Sequence, residues 1–354
     1  MKIRNLMLVA LAASMTFVAC SKDDGVPDAQ GTPKSVTIKL ANVVTPSRST
    51  GGAQITDGQA VNLTKYQVFF SDGTKLYKAK DADNSADAEQ YFDNTKGAVP
   101  TTGNFHFLPA AVNKVIVIGN RAKIDDVTTE AELNVALNIT DEQNADALSL
   151  YATSALTPVS EAEDDDEIHP TDNHVYKADL TLAPTIARLY VKNFSCDFSG
   201  GTYTELNLQK MALNNYYTTS TLANNTTGGL TTESLNNSNV WDWFSGLTPS
   251  FSNDDLSITL NSSTPSSAAT LYYHIFPGTL PQLVLRAMGN GTTPLYLATV
   301  NFKTSDGEPV EWKAGTVYEM DFAFKVTDFD QPDKCIDITV KPVNWVVVTV
   351  TPEF

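Results

Sequence analysis

The sequence predicts an all-β protein built from two tandem β-sandwich domains. Short runs of β-branched and aromatic residues recur along the chain, and turns containing Pro, Gly and Asn separate them. Helical signals are scarce. The chain has 354 residues, of which 42% are hydrophobic, and this is enough for two domains of ordinary size. We therefore expect one sandwich over residues 35–165 and a second over residues 172–335.

The first residues are organised as an export signal. Basic Lys2 and Arg4 precede an apolar stretch that is too short for a membrane span, and a small residue stands before Cys20. We expect residues 1–19 to be a signal peptide and residues 20–34 to be a polar tether. The position of Cys20 resembles that of a lipobox cysteine, the lipidated first residue of a mature lipoprotein. The alternative is an ordinary signal peptide that an incidental cysteine happens to follow.

Residues 35–44 alternate between apolar and polar side chains, which predicts a strand with one buried face. A loop of small and polar residues follows. It contains Arg48, and a protease could cut there between Arg48 and Ser49. A lone arginine in a polar loop is otherwise just a solvated side chain. The apolar residues of the predicted strand are Val36, Ile38, Leu40 and Val44.

Turn and cap signals place the elements of the first domain. Asp72 and Gly73 predict a hairpin over residues 65–78, because such turns require a positive φ. Thr129 and Glu132 have the spacing of a capping box and predict a short crossover helix. Further strands are expected at 105–108, 114–118 and 148–152, and the acidic run 161–167 predicts a loop at the domain boundary.

Strand signals continue through the second domain, which is predicted to begin with residues 174–182. Residues 214–239 are rich in Asn, Thr, Ser and Gly and predict an exposed loop or a long hairpin tip. The other strands are expected at 186–194, 203–213, 256–260, 270–276, 282–288, 295–303 and 316–326.

The C-terminal segment, residues 336–354, contains two strand-like runs. Its apolar positions are Ile336, Ile338 and Val340 before a break at Pro342, and Trp345, Val346, Val348 and Val350 after it. The runs could be the last strands of the chain's own sheet, or a strand that pairs with another molecule. Periodicity alone favours the chain's own sheet.

The charge and the motifs exclude several functions. A formal net charge of −17 leaves no basic patch for phosphates, so we expect no nucleic-acid partner. Nucleophile-elbow, zinc-protease and phosphate-loop motifs are absent, and we expect no catalysis, cofactor or metal. A carboxylate pair of a glycoside hydrolase would leave no local signal. Trp241 and Trp243, at alternate positions of a predicted strand, could stack on sugars or simply pack as an aromatic corner.

Two cysteines remain beyond Cys20. Cys196 and Cys335 could form one disulfide in an exported protein, or both could be buried free thiols. A bond would attach the beginning of the C-terminal segment to the second domain.

The order of several weak motifs resembles the Bacteroidales-type fimbrillins, the FimA-like major fimbrial subunits. The resemblance spans nearly the whole chain. The matching features are the lipobox cysteine Cys20, a strand followed by Arg48, Phe107-Leu-Pro, residues 115–120, residues 182–191, Phe276-Pro277, Thr316-Val-Tyr318 and residues 340–354.

The resemblance implies two transthyretin-like β-sandwich domains and a structural role. The chain would be a lipoprotein, held at the outer membrane through the Cys20 lipid until an arginine-specific protease cuts after Arg48. The first strand would then leave, and the C-terminal segment of another copy, or of a related fimbrial subunit, would replace it. The product would be an extracellular fimbria serving adhesion, with this chain as a stalk subunit. The alternatives are a glycan-binding surface lipoprotein and an exported glycoside hydrolase.

Overall fold

The computed structural model describes residues 31–41, 43–44, 61–144, 147–160, 169–247, 253–278, 280–330 and 336–344. Within these residues the fold is almost entirely β. The strands of the first half are β1 (Lys34–Ala41), β2 (Val43–Val44), β3 (Val61–Asn62), β4 (Lys65–Ser71), β5 (Leu76–Tyr77), β6 (Tyr91–Asp93), β7 (Thr102–Leu108), β8 (Lys114–Gly119), β9 (Ala136–Asn138), β10 (Leu150–Ala155), β11 (Thr157–Pro158), β12 (His174–Thr181) and β13 (Ala183–Pro184).

The strands of the second half are numbered on from these in chain order. They are β14 (Ala187–Asp197), β15 (Leu206–Asn214), β16 (Tyr216–Thr221), β17 (Gly228–Thr231), β18 (Asn253–Leu260), β19 (Ser266–Ile275), β20 (Gln282–Gly289), β21 (Thr293–Lys303), β22 (Thr316–Lys325) and β23 (Ile336–Asn344). The helices are α1 (Val240–Gly246) and four 3-10 turns at Asn94–Lys96, Glu130–Leu133, Asp141–Gln143 and Val326–Asp330.

The first unit is a sandwich of two sheets. One sheet has the order β11-β12-β1-β7, and the other has the order β13-β10-β8-β4-β5 with β6 also paired to β4. Alternate side chains of both sheets meet in one hydrophobic core. The apolar run of β8 lies between β4 and β10 and is buried, as expected of a central strand.

The second unit is a longer path of eight strands, β18-β15-β20-β21-β23-β22-β14-β19. Side chains from strands along the whole path enter one core, so the path folds over itself into two layers. A short sheet, β17-β16-β9, links the two units, because β9 of the first unit pairs with β16 of the second.

The all-β prediction is confirmed, and several finer expectations change. Strand β12 was predicted to begin the second domain, but it pairs with β1, so the first unit extends past residue 172. The predicted crossover helix is only a 3-10 turn, Glu130–Leu133, although its capping box is present: the Glu132 carboxylate accepts hydrogen bonds from the backbone N–H groups of Thr128 and Thr129, at 2.8 and 2.9 Å. The predicted loop 214–239 contains the hairpin β16–β17.

The hairpin at residues 65–78 forms as predicted. Phe70 pairs with Tyr77, and Gly73 has a φ of +102°, a conformation that favours glycine. Within the described residues, no helix has the length and apolar character needed to cross a membrane.

Candidate functional site

The candidate site is strand β1 together with the two strands that flank it. It is a central strand, parallel to β12 on one side and antiparallel to β7 on the other. We call the space between β7 and β12 that it occupies the β1 slot. If β1 left, backbone N–H and C=O groups along both walls of the slot would lose their partners, and such groups must be paired again.

One face of β1 belongs to the core of the first unit. Val36, Ile38 and Leu40 are buried, with 0, 0 and 5% of their surfaces exposed. Burying three aliphatic side chains of this size contributes about 6 kcal/mol. The alternation that predicted a half-buried strand is therefore confirmed for these three residues, and they fill the β1 slot from the core side.

The opposite face of β1 carries two hydroxyl groups that meet polar side chains, of which His106, His169 and Asn173 are buried and Asn104 is exposed. The Ser35 hydroxyl lies 3.1 Å from Nδ1 of His106 and accepts a hydrogen bond of 2.9 Å from Asn173 Nδ2. The Thr37 hydroxyl donates to Asn104 Oδ1 at 2.9 Å and lies 3.1 Å from Nε2 of His169. Strand β1 is thus held by hydroxyl contacts as well as by apolar packing.

A bulge in β7 lies at the Ser35 position. Lys34 pairs with Leu108 and Val36 with Phe105, so His106 and Phe107 together lie opposite Ser35. Phe107 has a φ of +52°, which is unusual for a bulky residue and characteristic of such an irregularity. The bulge lets the His106 ring face the Ser35 hydroxyl.

The electrostatics of this face are set by two histidines and a charge pair. The rings of His106 and His169 contact edge to face, with their centroids 5.5 Å apart. Burial, and next the neighbouring His169, lower the pKa of His106 below its ordinary value. Further along the strand, exposed Lys39 lies opposite Asp179 of β12. Opposite charges at this position suit the pairing of the two strands.

The segment after β1 is described only in part. Val44 belongs to β2, where it pairs with Asn62 of β3. It is therefore in a different short sheet from the other three residues of the predicted strand. Cys20, Arg48 and Ser49 lie outside the described residues.

The first half of the predicted donor segment lies in the chain's own sheet. Strand β23 runs parallel to β21 and antiparallel to β22, and includes Ile336 and Ile338. Val340 is 1% exposed and belongs to the core of the second unit. The strand stabilises the subunit that carries it, as the alternative of a strand in the chain's own sheet expects. The entry of these residues into a neighbour stays a prediction. Trp345, Val346, Val348 and Val350 lie outside the described residues.

The two cysteines of the predicted disulfide are described unequally. Cys196 is a buried free thiol on β14, and burial raises its pKa to about 12. At that pKa the thiol is protonated and unreactive at neutral pH. Cys335 lies outside the described residues.

The tryptophan pair is not on a strand. Trp241 and Trp243 lie on helix α1, where residues two apart point in different directions. The Trp241 ring is covered by the Arg286 guanidinium, 4.8 Å from its centroid, and the Trp243 ring contacts Phe244. The expectation of a shared flat surface for sugars is therefore wrong.

A cleft of about 580 Å³ lies between β4 and the loop 123–128, lined among others by Tyr77, Asp87 and Tyr91. The Lys80 ammonium lies 2.7 Å from Asp87 and lowers the pKa of that carboxyl group. A general acid for glycoside hydrolysis needs a raised pKa, whereas the pKa of Asp87 is lowered, so Asp87 does not fit that role.

Among the described residues, no group of three or more His, Cys, Asp and Glu side chains is arranged to hold a metal ion.

Sequence reasoning missed the polar partners of β1. His106 was placed correctly in a strand, but His169 fell in the predicted domain boundary and Asn173 at the beginning of the predicted second domain. Their contacts with β1 join residues far apart in the chain, and no local pattern reports such contacts. The one usable signal was the pair of hydroxyl residues, Ser35 and Thr37, at alternate positions of a strand.

The comparisons with known proteins agree on the architecture. No protein-family model and no curated protein matches the chain. Solved structures do. A fimbrillin of Porphyromonas gingivalis is 14% identical, with a TM-score of 0.54, and the match covers 90% of this chain and 99% of that chain.

Two other solved structures are similar to the same degree. A candidate cell adhesion protein of Parabacteroides distasonis is 16% identical with a TM-score of 0.55, and the match covers 91% of this chain and 99% of that one. A candidate cell adhesion protein of Bacteroides eggerthii is 15% identical with a TM-score of 0.53, and the match covers 90% and 98%. The chain thus has the β-sandwich fold that the Porphyromonas fimbrillin shares with these two proteins, as the resemblance in its sequence implied.

Proposed function

We propose that this chain is a structural stalk subunit of a cell-surface fimbria that serves adhesion. It is exported as a lipoprotein anchored through Cys20 and is cut after Arg48 by an arginine-specific protease. Strand β1 then leaves, and a C-terminal segment of another copy or of a related subunit enters the β1 slot. Because each subunit both receives and donates a strand in one direction, the contact does not close and a filament results.

The observation that carries this proposal is the position of β1. It is central in its sheet, so its loss opens a slot with two unpaired walls and an apolar floor. A strand from a second molecule satisfies these groups through main-chain hydrogen bonds. The similarity of the fold to that of a fimbrillin supports the proposal that the chain is a fimbrial subunit.

We assign the donor role to residues 345–354. Strand β23 is needed in the chain's own sheet up to Asn344, since it lies there between β21 and β22. The residues that follow in the sequence include Trp345, Val346, Val348 and Val350. They are the residues that we assign to the neighbour's slot.

The proposal is tested by cutting the purified chain with an arginine-specific protease and measuring particle size by gel filtration and electron microscopy. We expect wild-type protein to form filaments after cleavage. Arg48→Lys, which keeps the charge but removes the cleavage site, should stay monomeric. If cut wild-type protein also stays monomeric, the proposed assembly fails.

Removal of residues 345–354 tests the donor side. We expect the truncated chain to be cleaved after Arg48 and to keep its thermal unfolding transition before cleavage, because β23 is retained. It should form no filaments by itself. Filaments of normal length from this variant would show that the donor lies elsewhere.

A further inference from the structure

We propose that residues 346–351 of a second copy enter the β1 slot in the direction opposite to β1, with Val346 at the place of Leu40 and Thr351 at the place of Ser35. This inference rests on the proposed function and adds the orientation and register of the incoming strand. We derive both by comparing the side chains that the β1 slot accepts at each position with the sequence of the donor segment.

The slot requires a particular order of side chains. Aliphatic residues at the places of Val36, Ile38 and Leu40 fill the core side. On the other side, a hydroxyl group at the place of Ser35 meets buried His106 and Asn173. A hydroxyl group at the place of Thr37 meets buried His169 and exposed Asn104. A strand without a hydroxyl at the Ser35 place would leave buried His106 and Asn173 without this partner, and this is costly.

The polar end of the slot also fixes where the strand must lie. The β7 bulge occurs only at the Ser35 position, and His106 and Asn173 both contact that one hydroxyl. His106 and Asn173 are 5 and 6% exposed, so water has little access to replace a missing partner. A shift of the donor by one residue would place a different side chain at this point and reverse its faces.

The donor segment meets this requirement in two ways only. Its sequence is Trp345-Val-Val-Val-Thr-Val-Thr-Pro-Glu-Phe, so Thr349 and Thr351 are its only hydroxyl residues, and they stand two positions apart. They can occupy the Ser35 and Thr37 places in the same direction as β1 or in the opposite direction. Every other register leaves at least one of the two places without a hydroxyl.

The same-direction register conflicts with the slot. It would put Pro352 at the place of Ile38, in the middle of a strand paired on both sides, where proline removes a ladder hydrogen bond. It would also put Glu353 at the place of Lys39, opposite Asp179. Two like charges opposite each other destabilise a strand pair.

The opposite-direction register avoids both conflicts. Val346, Val348 and Val350 take the places of Leu40, Ile38 and Val36, and Pro352 falls at the place of Lys34, the first residue of β1. Val347 takes the exposed place of Lys39. Reversal leaves the incoming strand antiparallel to β12 and parallel to β7, and both arrangements form complete ladders.

Cysteine cross-linking distinguishes the two directions. In the opposite-direction register Val347 lies beside Asp179 of the neighbouring subunit, whereas in the same-direction register Glu353 does. We would prepare the full chain with Asp179→Cys and Val347→Cys, and separately with Asp179→Cys and Glu353→Cys, cleave each after Arg48, and oxidise the products. The single variants control for the native cysteines.

We expect a ladder of covalently linked subunits only from the variant that carries Val347→Cys. A ladder from the Glu353→Cys variant, or filaments that cross-link in neither case, would overturn the proposed register while leaving strand exchange intact. If the wild-type chain forms no filaments after cleavage, the proposed function fails and this inference fails with it.

Hydroxyl removal gives an independent measurement. Thr351→Val keeps the shape of the side chain but leaves His106 and Asn173 without a partner, so we expect filament growth to slow about tenfold. Thr351→Ser should restore growth, and Val347→Thr, at an exposed place, should not change it. Equal growth rates for Thr351→Val and wild type would contradict the role of the hydroxyl.

Discussion

At the scale of single residues, the two faces of β1 are held by different forces. Val36, Ile38 and Leu40 are retained by apolar burial, whereas Ser35 and Thr37 bond to polar side chains of neighbouring elements. The first set was predictable from the sequence, because alternation along a strand is a local signal. The second set was not, because its partners come from a distant strand and a distant loop.

The histidine beside Ser35 makes the stability of the first unit depend on pH. Burial, and next His169, lower the pKa of His106 from its ordinary value of 6.5, while Asp81 opposes this shift. The unfolded chain therefore binds a proton at this site more readily than the folded chain. The stabilisation is complete above about pH 6.5 and is lost as the pH falls below that value.

The first prediction concerns that pH dependence. In His106→Gln, the fall in melting temperature between about pH 7.5 and pH 5.5 should be smaller than in wild type, since no proton can bind there. Thermal unfolding followed by circular dichroism measures it. An unchanged slope in His106→Gln would contradict the assignment.

At the scale of elements, the existence of strands was easier to predict than their partners. The runs that became β8, β20 and β22 were recognised from their apolar character. Strand β12 was recognised too, but it was assigned to the wrong unit, because its partner β1 lies far away in the sequence. Helix α1 was missed since its two tryptophans at alternate positions resemble a strand.

The second prediction concerns the core face of β1. Ile38→Ala should lower the free energy of unfolding of the intact chain by about 3 kcal/mol, because Ile38 is fully buried. It should leave the stability of assembled filaments unchanged, since the substituted strand is no longer present in them. Lys39→Ala, on the exposed side of the same strand, is the control and should change little in either state.

Urea unfolding of the intact chain and thermal dissociation of filaments provide the two measurements. Equal destabilisation of filaments by Ile38→Ala would mean that β1 stays in its slot during assembly.

At the scale of the whole molecule, the two units are joined by a buried polar network. The Nδ1 atom of His274 lies 2.6 Å from the Glu142 backbone carbonyl of the first unit, and Arg188 Nε lies 2.9 Å from His274 Nε2. Gln143 bonds to both backbone groups of His274. Together with the β9–β16 pairing, this network fixes the units to each other.

The third prediction tests the junction. His274→Phe should lower the free energy of unfolding by about 2 kcal/mol, because it leaves buried partners of the ring unsatisfied. Burial, and next Arg188, lower the pKa of His274 to about 3, so the ring acts as a neutral group at physiological pH. His174→Phe, at an exposed position, is the matched control. Equal urea midpoints for the two variants would contradict the prediction.

The replacement of β1 is tested most directly by mass spectrometry of washed filaments assembled from protein cut after Arg48. We predict that the digested filaments contain peptides from β7, β12 and residues 345–354 but none covering residues 34–41, since the first strand leaves when the neighbour's segment enters. Filaments that retain residues 34–41 in the same molar amount as β7 and β12 would show that β1 remains in its slot, and strand replacement would be wrong.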